Sequence, residues 1–187
     1  EAPTVALQDV TTSLPENSST SNRRKVADVV VTDDALGRPT LTLSGADAGR
    51  FELSGNELFL RAGVVLDFET KPQYLVVVEM DDPSIGTTPE GTATLTLNLT
   101  DVNEPPSVAL TNAVASLPED TNTSARVKVA DIVVTDDALG TNSLTLAGVH
   151  ASAFEVFQGG LYLRAGTVLD FETLAQWVVI VQVDDST

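Results

Sequence analysis

The sequence predicts an all-β chain: two tandem seven-stranded Greek-key β-sandwiches, the second without its final strand. Three observations carry this expectation. The chain repeats itself at an offset of 103 residues without a gap, with 47 identities in the 84 pairs that align 1–84 with 104–187. Each copy divides into short apolar or alternating runs separated by turn-forming Gly, Pro, Asn and Asp. No stretch has a convincing amphipathic helical period, and strands at this density in about 100 residues point to a two-sheet sandwich.

In the first copy, residues 5–7 open the domain. Residues 25–31 form a β-branched run interrupted by Asp28, and 41–43 alternate up to Gly45. Residues 51–53 and 58–60 flank the turn signal Gly55-Asn56. Residues 74–80 are the strongest β-branched run, and 92–99 alternate Thr or Asn with apolar residues, as a half-solvated strand does. Ala46-Asp47-Ala48-Gly49 reads as a single helical turn at most. Alternation then predicts burial of Val26, Val30, Leu41, Leu43, Phe51, Leu60, Leu66, Tyr74, Val76, Val78, Leu95 and Leu97. Their counterparts are Val129, Val133, Leu144, Leu146, Phe154, Leu163, Leu169, Trp177, Val179 and Val181. Tyr74 and Trp177 occupy equivalent places and read as core aromatics whose polar edge meets a hydrogen-bond acceptor.

The repeat is domain-sized, longer than a solenoid unit, and gives domains 1–103 and 104–187. Between them, Asp101-Val102-Asn103-Glu104-Pro105-Pro106 forms a short stiff connector, because each proline removes an amide donor and biases its predecessor to extended geometry. The equivalent of 92–99 falls beyond residue 187. The second domain is therefore expected to expose a strand edge and part of its core, with the missing strand supplied by continuing chain or by another chain.

Composition narrows the chemistry. With 27 acidic and 10 basic residues the net charge is −17, which disfavours a nucleic-acid backbone as partner. The charge divides evenly, −9 in 1–103 and −8 in 104–187, so there is no separate acidic tail. No cysteine and a single histidine, His150, exclude disulfides, thiolate nucleophiles and the usual Cys/His zinc sites. No segment is long and apolar enough to span a membrane. His150 matches no nucleophile motif and reads as a surface loop residue.

The acids recur at element ends. The first copy has Glu16, Asp33-Asp34, Asp67 with Glu69, and Asp81-Asp82. The second has Glu119, Asp136-Asp137, Asp170 with Glu172, and Asp184-Asp185, and the connector adds Asp101, Asn103 and Glu104. Glu57, Glu90 and Glu155 read as solvated surface. Converging carboxylates repel one another unless a cation or a proton neutralises them. Hard oxygen ligands suit Ca²⁺, and softer metals find little to bind here.

In order and spacing these motifs resemble cadherin-type repeats, most closely the bacterial cadherin-like repeats of large surface or secreted proteins. Pro15-Glu16 and Pro118-Glu119 match the family's early Pro-Glu. Asp67-Phe68-Glu69 and Asp170-Phe171-Glu172 match its Asp-Arg-Glu, and Asp101–Pro106 matches its interdomain Asp-x-Asn-Asp-Asn-x-Pro imperfectly. Asp136-Asp137 stands for Asp-x-Asp, with Ala138 where the second acid falls in the family, and Asp184 aligns with the later single aspartate. The resemblance implies interdomain Ca²⁺ held by Glu16, Asp67, Glu69, Asp101, Glu104, Asp136 and Asp184. Asn103 adds a carbonyl or side-chain oxygen, and Asp137 substitutes for the displaced acid. The shortened connector motif and displaced aspartate imply fewer or weaker ions than in the family pattern. Nothing matches the N-terminal tryptophan strand that classical vertebrate cadherins exchange.

The expected function is a calcium-rigidified extracellular spacer or adhesion module of a bacterial surface or secreted multidomain protein. Its partners are then neighbouring domains of the same chain and a cell-surface protein or polysaccharide, with no nucleic acid and no membrane insertion. The alternative is a polysaccharide-binding or other ligand-binding module, for which Phe59, Phe157 and Tyr162 are the candidate aromatics. An enzyme is not expected. Asp67 and Glu69 have the residue types of a glycosidase pair, but their recurrence as Asp170 and Glu172 in a second small domain argues against a dedicated cleft.

Overall fold

The structure, a computed structural model, describes residues 2–33, 40–85 and 89–186. Asp34, expected in an acidic turn, lies outside the described residues. The chain divides into two compact units, Glu1–Val102 and Asn103–Thr187. The described residues carry strands and two single-turn 3₁₀ segments, with no α-helix.

In unit 1, strands are numbered in chain order. β1 (Thr4–Gln8), β3 (Arg24–Thr32), β6 (Glu57–Leu60) and β5 (Phe51–Ser54) form one antiparallel sheet. The second sheet has the order β2 (Ser13–Pro15), β8 (Gly91–Thr100), β7 (Gln73–Asp81) and β4 (Thr40–Ser44). The seven expected runs are all strands. β2 is an eighth, three residues long, and it pairs parallel with β8. So short a strand has no alternation to read; it exists because β8 offers it an edge. The sheets enclose one core containing Phe51, Leu58, Leu60, Tyr74, Val76, Val78, Leu95 and Leu97. Tyr74 is 1% exposed and its hydroxyl donates to the Val65 carbonyl at 3.0 Å, as the sequence led us to expect.

Leu41 and Leu43 are half-buried but pack against this core, whereas Val30 is half-buried and does not belong to it, and its counterpart Val133 is 45% exposed. The cause is a β-bulge: the β3–β6 register shifts between Lys25 and Ala27. The extra residue reverses the in–out phase, so Val26, Ala27 and Val29 point inward. Unit 2 repeats the shift between Lys128 and Ala130.

In unit 2, β9 (Ser107–Thr111), β10 (Val127–Thr135), β13 (Gly160–Leu163) and β12 (Phe154–Phe157) reproduce the first sheet. The second sheet is reduced to β11 (Thr141–Ala147) and β14 (Ile180–Ser186). No described segment occupies the place of β8. Residues 116–118, equivalent to β2, therefore carry no strand pairing. Residues 176–179, equivalent to the start of β7, carry none either. Trp177, Val179 and Val181 are half-buried, whereas Tyr74, Val76 and Val78 are at most 1% exposed.

The 3₁₀ turns Ala48–Arg50 and Ala151–Ala153 are held differently in the two units. In unit 1 the Asp47 carboxylate, 7% exposed, accepts the Leu75 N–H at 2.9 Å and pairs with Lys71 at 3.0 Å and Arg50 at 3.8 Å. Desolvation raises its pKa, but the Leu75 amide and the Lys71 and Arg50 charges outweigh that and hold it below the ordinary carboxylate value. In unit 2 the equivalent positions are His150, Ala153 and Leu174. His150 Nδ1 accepts the Val178 N–H at 2.9 Å, the bond Asp47 makes in unit 1. His150 is therefore a structural anchor as well as a loop residue, and the acid and both of its cations were exchanged together.

Asp47→Ala is expected to destabilise unit 1 by about 1–3 kcal/mol, the usual cost of stranding a buried donor. Because the folded-state pKa is depressed, the carboxylate's contribution is complete above the unfolded value of about 3.8. It is lost as pH falls through the lower folded value. Urea denaturation from neutral pH to pH about 2, with hydrogen exchange of the Leu75 amide, should show that acid dependence blunted in Asp47→Asn.

Candidate metal centre

Glu16 follows β2 and is 6% exposed, which is rare for a carboxylate. Its two oxygens are committed to two distant segments: Oε2 accepts the Phe68 N–H at 2.6 Å and Oε1 accepts the Val102 N–H at 2.8 Å. Its own N–H donates to the Thr100 carbonyl at 3.2 Å. One side chain thus ties the start of unit 1 to the Asp67–Glu69 loop and to the chain leaving β8. Asp67 shapes that loop, its Oδ1 accepting the Thr70 N–H at 2.7 Å and its Oδ2 the Thr70 hydroxyl at 2.9 Å.

These bonds bring charges of one sign together. Carboxylate oxygens of Glu16, Glu69 and Asp101 all lie within 4.8 Å of one another. A backbone hydrogen bond at Glu69 lowers its pKa, yet desolvation and the charges of Glu16, Asp101 and Asp67 outweigh it and leave the value raised. Asp101 Oδ1 is buried with no hydrogen-bond partner among the described residues. A buried carboxylate oxygen without a donor, beside two more carboxylates, is unfavourable in the absence of a cation.

Unit 2 builds a separate acidic end from the connector and the first turn after β10. Glu104 N–H donates to Asp137 Oδ2 at 2.7 Å, and Asp137 Oδ1 accepts the Leu139 N–H at 2.8 Å, so Asp137 fastens the turn to the connector. Asp136 Oδ2 accepts from Asn142 at 2.6 Å, whereas its Oδ1 is buried with no hydrogen-bond partner among the described residues. Asn103 donates its side-chain N–H to Asp185 Oδ2. Asn103 Oδ1 and Asp185 Oδ1 are likewise buried without partners. Asp184 is exposed, opposite Ser143 in the β11–β14 ladder, and lines a shallow cleft with Asn103, Pro105, Pro106, Val183 and Asp185.

Asp185, counted among the recurring acids, is the one that the expected ligand set left out. Neighbours in a strand point to opposite faces, so choosing between Asp184 and Asp185 requires the ladder register. Gly140 makes room for Asp185: it has φ +72°, and a Cβ there would overlap the Asp185 carboxylate. At the homologous end of unit 1, Asp33 Oδ1, the counterpart of Asp136, and Asp81 Oδ1, the counterpart of Asp184 rather than Asp185, are buried and lack partners among the described residues.

A third cluster repeats the first in part at +103: Glu119 and Glu172 are the counterparts of Glu16 and Glu69, and Asp170, the counterpart of Asp67, stands in place of Asp101. Glu119, Asp170 and Glu172 have oxygens within 4.8 Å of one another, and Glu119 Oε2 accepts the Phe171 N–H at 3.0 Å. Bonds from the Thr173 hydroxyl and N–H to Asp170 hold its pKa below the ordinary value. Glu119 is exposed where Glu16 is buried, because unit 2 has no described strand in the place of β8 to cover it.

The aromatics considered for glycan stacking are already engaged. The Arg23 guanidinium lies over the Phe59 ring at 4.3 Å and that of Arg126 over Phe157 at 3.9 Å, while Tyr162 meets Phe157 edge-on at 6.0 Å.

Glu16→Ala removes the acceptor of both the Phe68 and Val102 amides and is expected to cost unit 1 about 3 kcal/mol. Glu119→Ala, which strands one exposed amide, should cost unit 2 much less. Denaturant midpoints of the two variants in chelator separate these structural losses from any effect of a cation.

No family model matches the chain. Solved structures do match over nearly its whole length. Protocadherin Gamma B2 extracellular cadherin domains 1-5 align with TM-score 0.65 and 23% identity, over 94% of this chain and 34% of that one. Domains 3-6 of the same protein align with TM-score 0.62 and 22% identity, over 94% and 41%. Human mucin-like protocadherin EC1-2 aligns with TM-score 0.58 and 19% identity, over 90% and 81%. The chain thus spans between a third and about two fifths of the two Gamma B2 chains, and most of the two-domain human one. No helix among the described residues is long and apolar enough to cross a membrane. By its strands and by these alignments, the chain has the β-sandwich fold of cadherin extracellular domains.

Proposed function

We propose that this chain is an extracellular spacer and adhesion module of a bacterial surface or secreted multidomain protein, stiffened by Ca²⁺ bound around the connector between its two units. The observation that carries the reading is the set of buried side-chain oxygens without a donor among the described residues: Asp101 Oδ1, Asn103 Oδ1, Asp136 Oδ1 and Asp185 Oδ1. All belong to the connector or to acids expected beside it. Oxygen-only ligands of this hardness fit Ca²⁺. Glu16, Asp67, Glu69 and Asp101 would hold it from unit 1, and Asn103, Glu104, Asp136, Asp137 and Asp184 from unit 2, joined by Asp185. The connector is covalently continuous with both sets, so a cation bound at Asp101 and Asn103 restricts its torsions. The fold likeness supports the extracellular and adhesive context, with neighbouring domains and a surface protein or polysaccharide as partners. It supports a non-catalytic role too.

Calcium should raise the thermal stability of the decalcified full chain. A ligand at one hundred times its Kd adds about 2.7 kcal/mol per site. Calorimetry should register the binding, and small-angle scattering should show a narrower range of shapes with Ca²⁺ than with chelator. Asp101→Asn and Asp136→Asn should each weaken the response. Gly140→Ala should weaken it too by displacing Asp185. Absence of binding heat and of any melting shift at millimolar Ca²⁺ would overturn the reading.

A further inference from the structure

Three Asn-x-Ser/Thr triplets occur in the chain: Asn17-Ser18-Ser19, Asn98-Leu99-Thr100 and Asn122-Thr123-Ser124. The triplet is the acceptor pattern of N-glycosylation, in which a sugar is joined to the asparagine amide nitrogen of an exported protein. The pattern alone is common, so the structure has to decide which asparagine offers its nitrogen.

Asn98 lies within β8. Its backbone is opposite Gln73 on one side and Ser13 on the other. Its side chain is engaged as well: Oδ1 accepts from Gln73 Nε2 at 2.9 Å, and Nδ2 donates to the Thr12 carbonyl at 3.3 Å. An enzyme would have to open the sheet to reach it. Asn17 is exposed, but it directly follows the buried Glu16, and the residue two before it is Pro15.

Asn122 differs from both. It sits in the loop that leads into β10, where Asp120, Asn122 and Ser124 are all exposed. The Ser124 N–H donates to Asn122 Oδ1 at 2.9 Å, a side-chain turn that spans the triplet. That bond holds the amide by its oxygen, and no hydrogen bond among the described residues uses Nδ2. The nitrogen is therefore presented to solvent on an ordered loop. Asp120, two residues before, completes the stretch Asp120-Thr121-Asn122-Thr123-Ser124. An acid at that place is the additional element by which bacterial oligosaccharide transferases select an acceptor, and these enzymes work on exposed loops of folded chains.

The same loop shape recurs in unit 1. Ser21 N–H donates to Ser19 Oγ at 3.4 Å. Gly63 N–H donates to the Thr20 carbonyl at 2.8 Å, as Gly166 N–H does to the Thr123 carbonyl at 2.7 Å. Ser19 is exposed as Asn122 is, in a unit whose β8 is in place. The presentation thus belongs to the repeat. Only unit 2 carries the acceptor on it, because Asn17, Ser19 and Ser21 stand where Asp120, Asn122 and Ser124 do.

We infer that Asn122 is an N-glycosylation site, modified on the folded chain by a transferase that reads Asp120 as well as Ser124. Nδ2 attacks C1 of the first sugar of a polyprenyl-pyrophosphate-linked oligosaccharide. The C1–N bond forms and the C1–O bond to pyrophosphate breaks. The lipid pyrophosphate departs with that electron pair, and the nitrogen yields one proton to a base of the transferase. The inference rests on the bacterial extracellular placement proposed above and not on calcium.

The full chain, folded, is incubated with bacterial membranes that carry such a transferase and a lipid-linked oligosaccharide of known mass. The intact mass should rise by one glycan, and peptide sequencing should place it on Asn122, with Asn17 and Asn98 unmodified. Asn122→Gln and Ser124→Ala should abolish the gain. Asp120→Ala should slow it roughly tenfold, the loss of one charge-assisted contact, with an unchanged urea midpoint. The inference is overturned if the folded chain gains no mass in membranes that glycosylate a standard acceptor peptide. It is also overturned if the glycan maps to Asn17 or Asn98, or if Asp120→Ala is modified as fast as the parent chain. None of these results touches the calcium reading, whose melting shift is measured on the unmodified protein.

Discussion

The Glu16 carboxylate is the interaction on which unit 1 and its acidic end both rest. A charged group at 6% exposure is costly, and it is retained because each oxygen is used. One holds the loop that carries Asp67 and Glu69, and the other holds the chain as it leaves β8 at Asp101. Fold closure and the gathering of these acids are therefore the same event: the bonds that finish the sandwich also place three carboxylates within reach of one another. This explains a cluster that would otherwise fly apart. Its repulsion is offset by backbone bonds in the same place, and a divalent cation would remove what remains.

The second unit shows what these bonds depend on. Glu119 has the neighbours of Glu16 in sequence and makes the equivalent bond to Phe171, yet it lies exposed. Two stretches that are strands in unit 1 carry no pairing in unit 2, and in unit 1 both lie against β8. The sheet built from β9, β10, β12 and β13 is intact, so the loss stays within the other sheet. In unit 1, β8 thus supports the ladder on both of its sides, the burial of Tyr74 and, through the bond from the Glu16 N–H to the Thr100 carbonyl, the placement of an acid at the domain end.

Much of this was legible in the residues. Turn signals and alternation located the seven longer strands of unit 1. What escaped was set by pairing rather than by pattern. The bulge at Val26 reverses the phase of β3, so Val30 reads as core and is not. A three-residue strand has too few residues to show a period. Asp185 differs from Asp184 only in the face it takes, which is decided by the ladder with β11. His150 was read in isolation. Its role follows only when Asp47, Arg50 and Lys71 are compared with His150, Ala153 and Leu174 as groups, where a carboxylate anchor with two cations has become an imidazole acceptor with none.

The likeness of the repeats also bears on how the chain reaches its fold. The apolar floor that β8 covers in unit 1 recurs in sequence at +103, so Gly91–Thr100 meets two like hosts in one polypeptide. During synthesis the ambiguity is resolved by time, since β8 emerges when its own sandwich is complete and no part of the second exists. N-terminal domains generally fold first under these conditions. Refolding from denaturant removes that ordering, and the strand then meets both floors at once. Vectorial synthesis, as well as sequence, thereby selects the partner of β8.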